Sequence, residues 1–307
     1  MLRQRGYRVE VIGPDSFRTM PMPGYRSIRL ALWPARRVAQ LMRSFQPDAM
    51  HIATEGPLGI AARRLAVRQS WQFTTSFHTR FPEYLHARTG IPKRLSYAWL
   101  RRFHGASAGI LVATQSLRDE LVARGFERVR AWTRGVDLDL FQPTPREEWG
   151  LPRPIFVNVG RVAVEKNLGA FLALDLPGTK VVVGDGPQLG MLKRRFPDVH
   201  FAGERHGESL ARAYAGADVF VFPSRTDTFG LVLLESLACG TPVAAYPVTG
   251  PKDVLGTAPV GALDLDLGAA ALRALSVDRD ACRAHARGFS WAACADGFVG
   301  SLVPIKG

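Results

Sequence analysis

Cysteine is scarce in this 307-residue chain: there are three, Cys239, Cys282 and Cys294, and none stands in a CxxC. Three thiols cannot all pair, so a disulfide framework is excluded, as is a zinc site built on cysteine; the scarcity fits a reducing cytoplasm. Long apolar runs are missing too. No stretch approaches the ~18 residues that a membrane-spanning helix needs. The opening MLRQRGYRVE lacks the apolar core of a signal peptide. Helix-turn-helix, zinc-finger and RNP-like patterns are absent, which argues against nucleic acid as a partner. There is no internal repeat and no low-complexity tract.

Apolar residues make up 47% of the chain and charged residues 22%, the composition of a folded protein, and the length suits about two domains. Acidic residues are short in one half. Residues 1–140 hold 23 Lys plus Arg against 10 Asp plus Glu, whereas residues 141–307 hold 17 of each. The whole net charge of +13 therefore sits in the first half. An arginine-rich composition bias is the plain explanation, since 34 of the 40 cations are Arg. The functional one is an anionic membrane surface met by that half.

Short apolar runs alternate with longer helical stretches. Strands are expected over Arg8–Ile12, Ala49–Ile52, Phe73–Ser76, Ala108–Ala113, Ile155–Val159, Lys180–Val183, Val199–Ala202, Val219–Phe222 and Pro242–Tyr246. Helices are expected over Ala61–Gln69, Arg94–Phe103, Ser116–Arg124, Gly190–Phe196, Leu210–Ala215 and Phe229–Ala238. Such alternation builds doubly wound α/β sheets. Four prolines between Phe141 and Pro154 mark a linker. The expected organisation is a domain over 1–140, a linker over 141–154, a second domain over 155–285, and a C-terminal helix within 286–307 returning to the first. Two such domains would face a cleft at the carboxyl ends of their strands.

The richest segment is residues 219–246. A strand to Phe222 is followed by a polar loop over 223–228 and a helix from Phe229, with Leu231, Leu234, Leu237 and Ala238 at core spacing. A strand-loop-helix junction offers free backbone N–H groups and the positive end of a helix dipole, which suits a phosphate. A second such junction runs from the strand ending at Gly160, with Arg161 and Lys166 in its loop. Arg can fork two phosphate oxygens and Lys acts as a point charge. Capping by Asp227 or Thr228 and solvated cations are the plainer explanations at each place. The run VVVGDGPQLGML breaks the dinucleotide fingerprint, having Leu189 where a last glycine belongs, which disfavours a nicotinamide enzyme. Asp137-Leu-Asp139 and Asp264-Leu-Asp266 read as solvated carboxylates, and His104, His200 and His206 have no ligand spacing, so no metal site is expected.

Taken together these segments resemble the retaining GT-B glycosyltransferases of family 4. Asp227 to Glu235 is similar to the EX7E pattern, with Asp in place of the first Glu. Gly160-Arg161 through Glu165-Lys166-Asn167 resembles GRxxxEKN, Gly184-Asp185-Gly186-Pro187 the GxGP turn, and Phe201-Ala202-Gly203 the FxG loop. Gly135-Val136-Asp137 through Phe141 resembles GVDxxxF, and SFHTRFPEY the family's histidine loop. HIATEGPLG is similar to the diacylglycerol, sulfoquinovosyl and mannosyl lipid glycosyltransferases.

The resemblance implies a hexose moved from a UDP- or GDP-linked donor to an acceptor, without metal or other cofactor. It implies that Arg161 and Lys166 bind the donor diphosphate beside Gly160. Amides over Thr228, Phe229, Gly230 and Leu231 would touch the donor, and Glu235 the ribose. Asp227 would bind hydroxyls of the moving sugar, His78 would lie near its reactive face, and Gly203 and Glu204 near the base. The acceptor it implies is a membrane lipid such as diacylglycerol, met by a cytoplasmic protein peripheral on the inner membrane face; a polysaccharide or lipopolysaccharide precursor is the alternative. Relatives open with a strand, a glycine loop and a long helix, and the expectation is that this chain begins inside that helix. A nucleotide-sugar-binding fragment without turnover is the corresponding alternative of another class.

Overall fold

The computed structural model describes residues 1–22, 25–144, 149–227 and 229–305, and only the backbone of residues 25–27, 87 and 88. Two compact units form: Met1–Thr133 with Cys294–Gly307, and Arg134–Ala293. No helix among the described residues is long and apolar enough to cross a membrane.

The first unit opens with an antiparallel hairpin, β1 (Thr19–Met22) and β2 (Tyr25–Ala31). Then come α1 (Ala35–Phe45), β3 (His51–Ile52), α2 (Pro57–Arg68), β4 (Thr74–Phe77), α3 (Phe81–Thr89), α4 (Lys93–His104), β5 (Gly109–Val112), α5 (Gln115–Ala123) and β6 (Val129–Ala131). Strands β3 to β6 form a parallel sheet in chain order. β4 is buried at every position yet carries three hydroxyls, and each finds a partner, as buried polar groups must. Thr74 and Ser76 meet the two ring nitrogens of His51 at 2.8 Å each, and Thr75 meets His104 Nδ1 at 2.9 Å.

The strand expected over Arg8–Ile12 does not form. An extended segment becomes a strand only where a neighbour completes its ladder, and among the described residues the outer strand β3 pairs with β4 alone. Val11 is left 74% exposed, while Ile12 packs against the cluster of Val38, Met42, Ile52 and Phe73.

The second unit holds β7 (Ile155–Val159), α6 (Leu168–Leu172), β8 (Thr179–Val183), α7 (Leu189–Arg195), β9 (His200–Gly203), α8 (Gly207–Ala215), β10 (Val219–Phe222), α9 (Leu231–Ala238), β11 (Val243–Ala245), α10 (Thr249–Leu255), β12 (Gly261–Leu263), α11 (Leu267–Ala274) and α12 (Arg279–Ala286). α13 (Trp291–Ser301) ends the chain's helices, and from Cys294 onward it belongs to the first unit. The six strands are all parallel, in the order β12-β11-β10-β7-β8-β9. The chain thus enters mid-sheet at β7, winds outward to β9, returns to β10 beside β7, and winds outward the other way. Phe156, Phe171, Val182, Val221 and Leu267 lie in one buried cluster, each contributing about 1.5–3 kcal/mol of burial.

The units divide between Thr133 and Arg134, ahead of the boundary at residue 140 that the prolines suggest. The reason is the Arg283 guanidinium, which donates to the carbonyls of Leu138 (2.9 Å), Ala238 (3.0 Å) and Phe141 (2.6 Å) and ties that stretch to the second unit. At the other end, Ile305 donates to the Asp48 carbonyl and accepts from the Gln72 N–H, both at 2.8 Å. The last residues are thereby stitched into the first unit.

Candidate active site

In a doubly wound sheet the strands on either side of the reversal point send their following loops in opposite directions, opening a crevice at their carboxyl ends. Here those strands are β7 and β10. They are joined side chain to backbone as well as by their ladder, Asn158 Nδ2 donating to the Val221 carbonyl at 2.9 Å. Gly160 follows β7 with φ +144°, and Gly184 follows β8 with the same value. A Cβ on Gly184 would sit 1.9 Å from the Gly160 carbonyl oxygen, and one on Gly186 would sit 2.4 Å from that of Val162. The two glycines therefore let the 184–187 turn pack directly on the backbone of the loop after β7.

That loop is sewn to the one after β10. Asn167, in the left-handed conformation, donates from Nδ2 to the Pro223 carbonyl at 3.1 Å. The Glu165 carbonyl accepts from Ser224 Oγ and Thr226 Oγ1 at 3.4 Å each. Lys166 Nζ donates to Asp227 Oδ1 at 2.6 Å. The other oxygen, Asp227 Oδ2, is shut off from solvent with no hydrogen-bond partner among the described residues. Arg161 lies 3.8 Å from Glu165 with its side chain 44% exposed. Two expected phosphate ligands and the expected sugar ligand are thus gathered on adjoining loops, with the lysine already engaged by the aspartate.

α9 begins next to them. Gly230 precedes it with φ +82° and offers no side-chain cap; the Leu233 N–H turns back to the Gly230 carbonyl at 2.9 Å, and among the described residues no side chain caps the N–H groups of Leu231 and Val232. Phe229 is buried, and the loop lies so close to α10 that a Cβ on Gly250 would sit 2.7 Å from the Phe229 carbonyl. Leu231, expected in the core, is 45% exposed, and Leu233 takes the inward position instead. The helix starts at Leu231 rather than Phe229, so Leu231 lies at its open end, while Leu234, Leu237 and Ala238 are buried as expected. Thr228 lies outside the described residues. Two turns along, Glu235 accepts from the Tyr214 hydroxyl at 2.9 Å. Burial raises the Glu235 carboxyl above its ordinary range, against the opposing pull of that hydrogen bond. The Tyr214 hydroxyl is itself pushed well up, by burial first and then by Glu235.

Gly203 ends β9 with φ +74° and accepts from the Gly184 N–H at 2.8 Å. Glu204 beyond it is exposed, 3.7 Å from His206. The two DxD pairs have local partners. Asp137 accepts from the N–H groups of Asp139 and Leu140, and Asp266 caps α11 by accepting from those of Gly268 and Ala269. Asp264 bonds the Asp266 N–H and Arg273, which together hold its carboxyl low. Among the described residues no group of three or more His, Cys, Asp or Glu is placed to share a metal ion.

The fold is similar to that of Anabaena Alr3699/HepE in complex with UDP, with a TM-score of 0.69 at 15% identity over 86% of this chain and 81% of that one. This is the GT-B fold. The family model described as Glycosyltransferase Family 4 matches residues 1–140, and that described as Glycosyl transferases group 1 matches residues 153–276. A GDP-mannose-dependent alpha-mannosyltransferase of Mycolicibacterium smegmatis is 34% identical over 296 residues, covering 86% of this chain and 78% of that one. The chain belongs to the family 4 glycosyltransferases. Sulfoquinovosyl transferase SQD2 of Arabidopsis thaliana is 33% identical over 273 residues, covering 81% of this chain and 52% of that one. The chain spans between about half and about three quarters of the length of the curated relatives it matches.

Of the expected family 4 site residues, His78 is the one placed in the first unit. It follows β4 directly, half-buried, its ring 6.2 Å from that of Trp132. Sequence reasoning missed Tyr214, which orients Glu235 from α8, and Asn167, Ser224 and Thr226, which bind the two loops together. Asn167 alone had a signal, its place in the EKN run. It also missed Arg225, whose guanidinium lies 3.6 Å from the Tyr246 ring centre.

Proposed function

We propose that this family 4 protein is a retaining glycosyltransferase that moves a hexose from a UDP- or GDP-linked donor to a membrane lipid such as diacylglycerol. The observation that carries the donor half is the sewn pair of loops at the sheet's reversal point, with Lys166 and Asp227 2.6 Å apart beside the uncapped start of α9. Support for a nucleotide diphosphate comes from a relative that is a GDP-mannose-dependent alpha-mannosyltransferase and from the similar fold solved with UDP.

Donor binding exchanges partners. Arg161 and Lys166 take the diphosphate, and the first amides of α9 add the positive end of the helix. Asp227, released from Lys166, accepts from hydroxyls of the sugar, its buried Oδ2 already lacking a donor. Glu235, steadied by Tyr214, accepts from the ribose. As the bond from the anomeric carbon to the phosphate oxygen lengthens, negative charge grows on the leaving diphosphate and positive charge on the ring. Fixed cations favour that separation more than they favour the ground state, at ~3 kcal/mol per well-placed donor by analogy with oxyanion holes. The acceptor hydroxyl attacks from the face the phosphate leaves, and the departing phosphate oxygen takes its proton, so configuration is kept.

Support for a lipid acceptor is the excess of cations in residues 1–140 and the likeness to a sulfoquinovosyl transferase. The site of action is the cytoplasmic face of the membrane. The deciding experiment is a binding and turnover screen of UDP- and GDP-sugars with diacylglycerol in anionic vesicles. Transfer with retained configuration, surviving a chelator, is the expected result. Loss on chelation with rescue by manganese would overturn the metal-free mechanism. Binding without transfer would leave a nucleotide-sugar-binding module, and transfer only to a soluble glycan precursor would move the acceptor to the polysaccharide class.

A further inference from the structure

α2 and α4 of the first unit border an open cavity of about 270 Å³ lined by Ile60, Arg63, Arg64, Trp99, Arg102 and Phe103. Three cations and no carboxylate line it. Among the described residues none of the three forms an ion pair. Arg63 is fixed, its guanidinium donating to the Arg102 and Phe103 carbonyls at 2.8 Å each and so capping the end of α4. Arg64 and Arg102 are exposed at the rim. Burial, then Arg102 and Arg64, hold the Arg63 guanidinium below its ordinary range, so positive charge is crowded there. The floor is apolar, with Trp99 stacked on Phe103 at 5.7 Å between ring centres.

The rim continues as an apolar edge. Leu95 and Trp99 are one turn apart on α4, 58% and 41% exposed, and Arg102 follows on the same stripe. An uncompensated arginine cluster beside an exposed Trp and Leu matches the chemistry of a membrane surface, where phosphates lie above the zone in which an indole settles. We infer that the cavity between α2 and α4 seats the phosphate headgroup of an anionic lipid while Trp99 and Leu95 enter the interface. This rests on the membrane reading proposed above and gives it a location. Arg64 and Arg102 reach the phosphate oxygens, and Arg63, held in place, supplies charge from behind.

The test is co-sedimentation of the full chain with phosphatidylcholine vesicles, with and without phosphatidylglycerol. A double variant, Arg64→Glu with Arg102→Glu, should lower partition to the anionic vesicles by about tenfold or more, at ~1 kcal/mol per surface cation. A control with the same change of net charge in the second unit, Arg194→Glu with Arg195→Glu, should cost about twofold or less. Wild-type tryptophan fluorescence should shift blue on anionic vesicles, and Trp99→Phe should remove most of that shift. Equal losses in the two double variants would assign the binding to net charge and overturn the pocket. Tight binding of inorganic phosphate, abolished by the pocket variant but without preference for anionic vesicles, would make the ligand a free anion and overturn the lipid. Wild-type protein that ignores both vesicles sinks the pocket together with the membrane reading, whereas binding of UDP- or GDP-sugars in solution tests the donor site by itself.

Discussion

The two units handle buried polarity differently, although each buries some in its sheet, Asn158 of β7 being the second unit's case. In the second, the candidate donor-site groups sit on strand-end loops that are joined by side-chain hydrogen bonds and packed on a glycine turn, and its half of the sequence balances 17 cations against 17 anions. In the first, polar groups are buried in the sheet itself, His51 and His104 satisfying the hydroxyls of β4, and the excess cations lie outside. Donor chemistry demands fixed geometry and therefore leaves short motifs with glycines at set places. Meeting a surface demands only charge and exposed apolar edges, which leave a composition and no motif.

The comparison breaks first at Gly184. Gly184→Ala drives a Cβ into the Gly160 carbonyl, and the expected cost is about 3 kcal/mol or more, read by urea unfolding, with donor binding lost alongside. Lys166→Ala leaves the fold intact and should cut transfer about 100-fold, measured as kcat/KM; an unchanged rate would remove the lysine from the phosphate site. Glu235→Gln should weaken nucleotide binding by about tenfold in calorimetry. Its effect on stability has the opposite sign. Because the folded state holds this proton more tightly than the unfolded chain, the group's contribution is present at acid pH and is lost as pH climbs from the ordinary glutamate range through the raised value. The amide cannot ionise, so the variant should melt higher than wild type at neutral pH and converge with it in acid. Smallest, Asp266→Ala removes the α11 cap for about 1 kcal/mol and should leave transfer unchanged without added metal.

β7 and β10 were legible to the residue because a strand buried on both faces is a nearly continuous apolar run, broken in β7 by Asn158 alone and closed here by Gly160 and Pro223. Arg8–Ile12 has the alternation of a strand and forms none, since alternation says nothing about whether a neighbour is there to pair. The β1–β2 hairpin escaped notice because MPMPG looks like a loop; Pro21 is tolerated in a two-stranded ribbon that has open edges. α1 was missed for its arginines, with Val38 and Met42 as its buried positions. The motif residues of the donor site could be read, but not their partners. Tyr214 and Glu235 are brought together by the packing of α8 on α9, and Lys166 and Asp227 by two loops that meet only at the sheet's reversal point.

The Lys166–Asp227 contact has a further consequence, for the end of the reaction cycle. An empty site of this kind is already electrically quiet, so an incoming diphosphate competes with a resident carboxylate instead of filling a void. On the donor reading proposed above, Asp227 would lose the hydroxyls that held it away once the sugar had gone and would be free to reclaim the ammonium. The same carboxylate would then compete with the spent nucleotide for Lys166 and so favour its departure.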